Sequence, residues 1–187
     1  MIEALIFDFD GTLADTMPMH WAAWDIIAKR HSIELSRERL YSMGGIPSRD
    51  ILKLLQKEQN RPDLDIEVIA EEKETEYVRT IGSVKLIEPI AAIARANVGK
   101  MPMAIATGGR RAIMEIILPQ LGIDKWFQTV VTSQDVQHQK PAPDIFLEAA
   151  RRLGVDPKKC RGFEDTDIGL QAIRDAGMNA VDVRTII

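Results

Sequence analysis

The chain has 187 residues, 45% hydrophobic and 28% charged, the balance of an ordinary globular protein in water. A formal net charge of −4 and an isoelectric point near 5.5 argue against nucleic acid or an anionic membrane as a partner. One cysteine, Cys160, excludes an internal disulfide, no apolar stretch is long enough to span a bilayer, and no signal peptide is visible, so the expected location is the cytoplasm.

The first element is Ala4-Leu5-Ile6-Phe7, four apolar residues without alternation. That pattern predicts a strand buried on both faces, hence a central strand of a parallel sheet. It runs into Asp8-Phe9-Asp10-Gly11-Thr12. Open α/β sheets bind ligands outside the carboxyl ends of their strands. Two carboxylates placed there meet a solvation penalty and mutual repulsion that the fold itself does not demand. A cation and a charged substrate account for them; an Asp-Gly turn is the plainer alternative.

Residues 15–83 contain no convincing strand and several amphipathic helix patterns. Trp21, Trp24, Ile27 and Ala28 predict a helix from about Pro18, with proline at a favoured early position. Ile51, Leu54 and Leu55 predict another after Pro47, and Ile66, Ile69, Ala70 and Tyr77 a third after Asp65. The segment reads as a helical cap inserted after the first strand, leaving 1–14 and 84–187 as the core.

Beyond the insert, strand and helix alternate. Strands are predicted at Met103–Ala106, Thr129–Val131, 161–163 and 180–183, with helices over 110–118, 143–153 and 166–176. Ile168, Ala172 and Ile173 recur at helical spacing, and Gly177 stands where a helix end favours a left-handed residue. Arg161 and Gly162 are unusual inside a buried strand. Crossovers of this length suit parallel strands, so a doubly wound α/β core is expected.

Polar residues gather after each strand. Thr107-Gly108-Gly109 follows the second and opens a helix, offering a hydroxyl and backbone donors to an anion, or a simple N-cap. Lys140-Pro141-Ala142-Pro143-Asp144 follows the third; two prolines around one lysine are a heavy constraint for a solvated charge. Glu164-Asp165 follows the fourth. Carboxylates, one lysine and a hydroxyl with backbone donors form the inventory for phosphoryl transfer with a hard cation such as Mg²⁺, which takes oxygen ligands and keeps several waters.

In this order the motifs resemble those of the haloacid dehalogenase superfamily, over essentially the whole chain. The resemblance implies a sheet of order 3-2-1-4-5 with Asp8 in the middle and residues 15–83 as an α-helical cap. It implies Asp8 as nucleophile and Mg²⁺ ligand, and Asp10 as general acid/base lending its backbone carbonyl to the metal. Thr107 and Gly108 become phosphate-binding, Lys140 both catalytic and phosphate-binding, Asp165 a metal ligand and Glu164 a metal-side residue. The superfamily's dehalogenases lack an aspartate at the Asp10 position, so Asp10 points to phosphoryl chemistry.

Within the superfamily the chain is most similar to phosphatases of small sugar phosphates such as fructose 1-phosphate. Three strings carry this: Asp15-Thr16-x-Pro18-x-His20-x-Ala22-x-Trp24, His138-Gln139-Lys140-Pro141-Ala142-Pro143-Asp144 and Gly177-Met178-Asn179-Ala180-Val181-Asp182-Val183-Arg184. It departs from the usual pattern at Arg161-Gly162 and at Thr166, where serine or alanine is more common.

Three residues of the insert are candidates for substrate contact. Lys73 falls mid-stripe among Ile66, Ile69, Ala70 and Tyr77, where a lysine either snorkels or projects toward the core. His20 lies on the Trp24/Ile27 face, as a hinge residue near the acid/base or a packed histidine. Arg49 ends the loop Gly44-Gly45-Ile46-Pro47-Ser48 and either recognises substrate oxygens or is solvated. Trp21, Trp24 and Trp126 are expected in the core.

The expected activity is a Mg²⁺-dependent sugar phosphatase working as a monomer through an aspartyl-phosphate. A β-phosphoglucomutase-like mutase is the first alternative. A signalling receiver module, also built on a doubly wound sheet with a phospho-accepting aspartate, is the remote one, disfavoured by the large insert.

Overall fold

The computed structural model describes residues 1–187, which divide into two compact units: Met1–Asp15 with Lys85–Ile187, and Thr16–Val84. In chain order the elements are β1 (Ala4–Phe7), β2 (Ala14–Asp15), α1 (Met17–Arg30), α2 (Arg37–Ser42), α3 (Ser48–Glu58), α4 (Ile66–Thr80), β3 (Lys85–Leu86) and α5 (Glu88–Asn97). They continue with β4 (Met103–Ala106), α6 (Arg111–Leu121), β5 (Thr129–Val131), α7 (Asp144–Leu153), β6 (Cys160–Glu164), α8 (Asp167–Asp175) and β7 (Asn179–Asp182).

Five strands form one parallel sheet in the order β5-β4-β1-β6-β7, the predicted arrangement with β1 at the centre. All four residues of β1 and of β4 are buried, as continuous apolar runs covered on both faces require. Phe7 lies opposite Phe163 across the β1–β6 pair, and their rings stack at 4.6 Å. Ala4, Ile6 and Ala104 join Phe146 and Ala149 of α7 and Ala172 and Ile173 of α8 in one core. Gly177 has φ +76°, and Met178 N–H closes back on the Ile173 carbonyl, the helix ending predicted there.

The fourth core strand is longer than expected, Cys160–Glu164, and its glycine has a packing reason. A Cβ on Gly162 would sit 2.7 Å from Cδ1 of Ile173, which is fully buried and cannot retreat. Gly162 therefore lets α8 close on the sheet. Arg161 keeps its charge at the margin, donating to Asn179 Oδ1 on β7 at 2.8 Å. Gly162→Ala is expected to lower unfolding free energy by about 1–3 kcal/mol, the range for overpacking. Urea titration checks it, and Ile173→Val in the same chain should recover part of the loss because the two sites share one contact.

Four elements were not predicted. β2 pairs antiparallel with β3 over two residues each, too short for any period, and it takes Asp15 out of the insert to face Lys85. In α5, the run Ile90, Ala91 and Ala94 is buried, but alanine gives little apolar contrast. α2 has six residues and a single buried one, Leu40.

In the second unit, Trp24, Ile27, Leu40, Leu52, Leu55 and Ile69 share a second core. The Asp65 side chain caps α4, accepting from Val68 N–H at 3.2 Å. Leu52, not Leu54, faces this core; Leu54 is exposed. Trp24 is buried and Trp21 packs at the core edge, whereas Trp126 is half-buried beneath the Arg95 guanidinium, 5.4 Å from its ring centre. No helix is long and apolar enough to cross a membrane.

Candidate active site

Because β4, β1 and β6 run parallel and in register, their carboxyl ends deliver Thr107, Asp8 and Glu164 to the same edge. Backbone bonds carry the register past the strands: Asp8 N–H donates to Phe163 O at 3.0 Å and Thr107 N–H to Val131 O at 2.9 Å. Asp8, Thr107, Lys140 and Glu164 are all buried there. Four buried polar side chains together are costly unless each is partnered.

Lys140 answers most of that cost. Its Nζ donates to Asp8 Oδ1 and Glu164 Oε2, both at 2.6 Å, and lies 5.2 Å from the Phe146 ring centre. Burial alone would depress the lysine's pKa, but the carboxylates of Asp8 and Glu164 outweigh it and hold it above the ordinary value. Asp8 is pushed well above the usual carboxylate range by burial and then by the Glu164 charge, with Lys140 opposing. Burial and Glu164 likewise raise Asp165 to about 6.

The loop after β1 is folded around Asp165. Gly11 has φ +81°, and a Cβ there would overlap the Asp165 carboxylate, so both backbone angle and space demand glycine. Thr12, fully buried, donates from Oγ1 to Asp165 Oδ1 at 2.8 Å. Gly11 N–H closes the turn on Ala14 O at 2.9 Å.

Asp10 follows on the same loop and is half-buried. Its Oδ2 accepts from Thr107 Oγ1 at 3.2 Å, and Thr107 Oγ1 accepts in turn from Gly109 N–H at 2.9 Å. The Thr107 hydroxyl thus turns its proton to Asp10. Gly108 lies between these two residues on the approach to α6.

Asp8, Glu164 and Asp165 bring carboxylate oxygens within 4.8 Å of one another. An all-oxygen set, largely buried and destabilised by its own repulsion, fits a hard divalent cation, which would remove that repulsion.

The candidates of the second unit separate. Lys73 is 1% exposed and does not snorkel to solvent. Its Nζ lies 3.0 Å from His20 Nδ1, 3.2 Å from Glu74 Oε1 and 4.8 Å from the Tyr77 ring centre, and His20 stacks on Tyr77 at 4.2 Å. Glu74 Oε1 also accepts from Ser48 Oγ at 3.2 Å. Arg49 stands apart in the exposed first turn of α3, donating to Glu67 Oε2 at 2.7 Å.

Sequence reasoning passed over Thr12, Gly109 and Thr166 as site residues. The strings Asp-Gly-Thr, Thr-Gly-Gly and Glu-Asp-Thr were visible, but nothing in them says which carboxylate each hydroxyl or N–H will meet.

The chain is similar to known proteins over nearly its whole length. Fructose-1-phosphate phosphatase YqaB of Escherichia coli (strain K12) is 42% identical over 184 residues, covering 97% of this chain and 96% of that protein. Beta-phosphoglucomutase of Bacillus subtilis (strain 168) is 30% identical over 190 residues, covering 97% and 83%. Among solved structures, beta-phosphoglucomutase (pgmB) from Clostridium difficile matches with a TM-score of 0.87 at 29% identity, over 97% of this chain and 84% of that one. The family match itself runs over residues 5–183, nearly end to end, and with the central strand, its paired aspartates and the later lysine and acidic pair inside it, the chain belongs to the haloacid dehalogenase-like hydrolases.

Proposed function

We propose that this hydrolase is a Mg²⁺-dependent phosphatase of small sugar phosphates, with Asp8 as nucleophile and Asp10 as acid and base. The observation that carries the reading is Asp8 at the end of the central strand, buried, with Lys140 Nζ on one carboxylate oxygen. Its sugar-phosphate substrate class is supported by the 42% identity to a fructose-1-phosphate phosphatase.

In the first step an Asp8 carboxylate oxygen attacks phosphorus and the bond from phosphorus to the sugar oxygen breaks. Asp10 gives its proton to that oxygen, and the sugar leaves as an alcohol. In the second step Asp10 takes a proton from water as the water oxygen attacks phosphorus, the Asp8–phosphorus bond breaks, and free phosphate and the Asp8 carboxylate result. A carboxylate and a phosphate oxygen about 4 Å apart repel by roughly 4 kcal/mol at an effective dielectric near 20. Lys140 offsets this from one side, while Thr107 and the Gly108 backbone hold transferring oxygens. Asp8, Asp165 and the Asp10 carbonyl would hold the cation, with Glu164 beside it on the metal side, and the cation would supply further positive charge against the phosphate.

In this reading residues 15–83 act as a cap that admits and reads the sugar, with His20 and Lys73 as its contacts and Arg49 recruited from the surface. The protein works as a cytoplasmic monomer on a small phosphorylated sugar, without nucleic acid or membrane partners.

The mutase reading has one observation in its favour, the 30% identity to a beta-phosphoglucomutase. One experiment separates them. Fructose 1-phosphate should yield steady inorganic phosphate with Mg²⁺, none after exhaustive chelation, and less with Ca²⁺, whose looser coordination would hold Asp8 out of line. β-Glucose 1-phosphate with glucose bisphosphate should give free phosphate; rapid glucose 6-phosphate with little phosphate would decide for the mutase. Full activity after chelation would remove the cation and the stated roles of Asp165 and Glu164.

A further inference from the structure

Glu164 is 1% exposed, and its two oxygens are used unequally. Oε1 accepts three bonds from the start of α8: Asp165 N–H at 3.2 Å, Thr166 N–H at 3.0 Å and Thr166 Oγ1 at 2.8 Å. Oε2 accepts Lys140 Nζ at 2.6 Å. The carboxylate also lies flat against Gly169, where a Cβ would overlap it. Nothing about Glu164 is left to rotate while those donors stay in place.

Thr166 is the hinge of this arrangement. Its Oγ1 caps α8 by accepting Gly169 N–H at 3.2 Å and gives its single proton to Glu164 Oε1. The two backbone donors would remain with any residue at this position except proline. The hydroxyl alone depends on the side chain, and its bond is the shortest of the three.

We propose that Thr166 is a positioning residue for Lys140, acting through Glu164. By saturating Oε1 it aims Oε2 at the ammonium, and so fixes where Lys140 stands relative to Asp8. Without the hydroxyl, Oε1 keeps only its two longer backbone bonds, so Glu164 is aimed less firmly and the second anchor of Lys140 loosens while Asp8 keeps the first. The lysine then follows Asp8 instead of remaining where a transferring oxygen needs it. The loss should not depend on the leaving group, because Lys140 faces the phosphoryl side.

Three variants test this. Thr166→Ser keeps the hydroxyl, Thr166→Val keeps the shape without it, and Thr166→Gly removes it while sparing most of the helix cap, since glycine is well tolerated at a helix N-cap. The direct readout is the ¹⁵N–¹H resonance of the Lys140 ammonium, assigned by its absence in Lys140→Met. Wild type and Thr166→Ser should show it; Thr166→Val and Thr166→Gly should lose it to fast exchange. In parallel, kcat should fall about ten- to a hundredfold in Val and Gly, for aryl and sugar phosphates alike, as small misplacements of a catalytic group do. Cation affinity by calorimetry should stay within about twofold, against the roughly 10–100-fold loss typical when support for a metal ligand is removed.

An ammonium signal and kcat unchanged in Val and Gly would overturn the proposal. So would a Thr166→Ser variant as impaired as Thr166→Val, which would assign the role to shape, or cation affinity falling in step with kcat, which would assign it to the cation. The kinetic arm rests on the proposed role of Lys140 in phosphoryl transfer; the resonance does not. Wild-type enzyme inert toward every phosphate ester would sink the functional reading while the resonance still decides for or against Thr166.

Discussion

Asp8→Asn should abolish phosphate release, by about 10⁴-fold or more, the scale on which loss of a nucleophile acts. An amide is nearly isosteric with the carboxylate and its oxygen still accepts from Lys140, so the geometry at the end of β1 is kept. What disappears is the anionic carboxylate oxygen that attacks phosphorus, its place taken by a non-nucleophilic amide nitrogen. Stability should move the other way. The folded-state pKa of Asp8 is raised, so its ionised form disfavours folding once pH passes the unfolded value, and the deficit is complete above the folded value. At neutral pH without divalent cation, Asp8→Asn should therefore unfold no earlier than wild type. Thermal unfolding in chelator and a phosphate-release assay check the two halves. More than a few per cent of wild-type turnover would move the nucleophile elsewhere.

Asp10→Asn should lose about 10²–10⁴-fold on sugar phosphates, the usual worth of general acid/base catalysis. The loss should split by step. A sugar alkoxide is a poor leaving group and needs the proton of Asp10, whereas an aryl phosphate releases a stable phenolate without one. With an aryl phosphate, Asp10→Asn should therefore give a burst of phenolate equal to the enzyme present, then slow turnover, because the water of the second step still lacks its base. Stopped-flow absorbance at high enzyme concentration reads the burst directly. A uniform slow rate without a burst would mean that Asp10 orients the Asp8 attack instead.

Much of the core was legible because the signals are short-range. Ala4–Phe7 and Met103–Ala106 are continuous apolar runs, and only a strand covered on both faces makes use of four such residues. The residue following each run needs no tertiary knowledge to be placed, so Asp8, Thr107 and the Glu164-Asp165 pair could be assigned to one sheet edge. Pro18, Asp65 and Gly177 marked helix ends because capping and left-handed geometry act within one turn. The β2–β3 ribbon and α5 escaped for the opposite reason: two-residue strands have no period, and an alanine-rich helix has too little contrast.

Other features depend on which distant atoms meet. Gly162 looked out of place in a strand until Ile173 of α8 was seen to occupy the space of its missing side chain. Lys73 in an apolar stripe was ambiguous as a sequence feature, and only the stacked His20 and Tyr77 and the Glu74 oxygen explain its burial. Arg49, plausible as a reader of substrate oxygens, is held on the surface by Glu67.

By itself the amino-acid order determined the parallel sheet, its central strand, the helical insert and the acidic, basic and hydroxyl groups at the strand ends, since each follows from periodicity or from the residue after a strand. The tertiary structure alone decided the partners: Lys140 shared between Asp8 and Glu164, Thr107 turned to Asp10, Thr12 to Asp165, Thr166 to Glu164. Local patterning acts over a few residues, while a hydrogen bond is chosen by ångström-scale register between segments up to 153 positions apart.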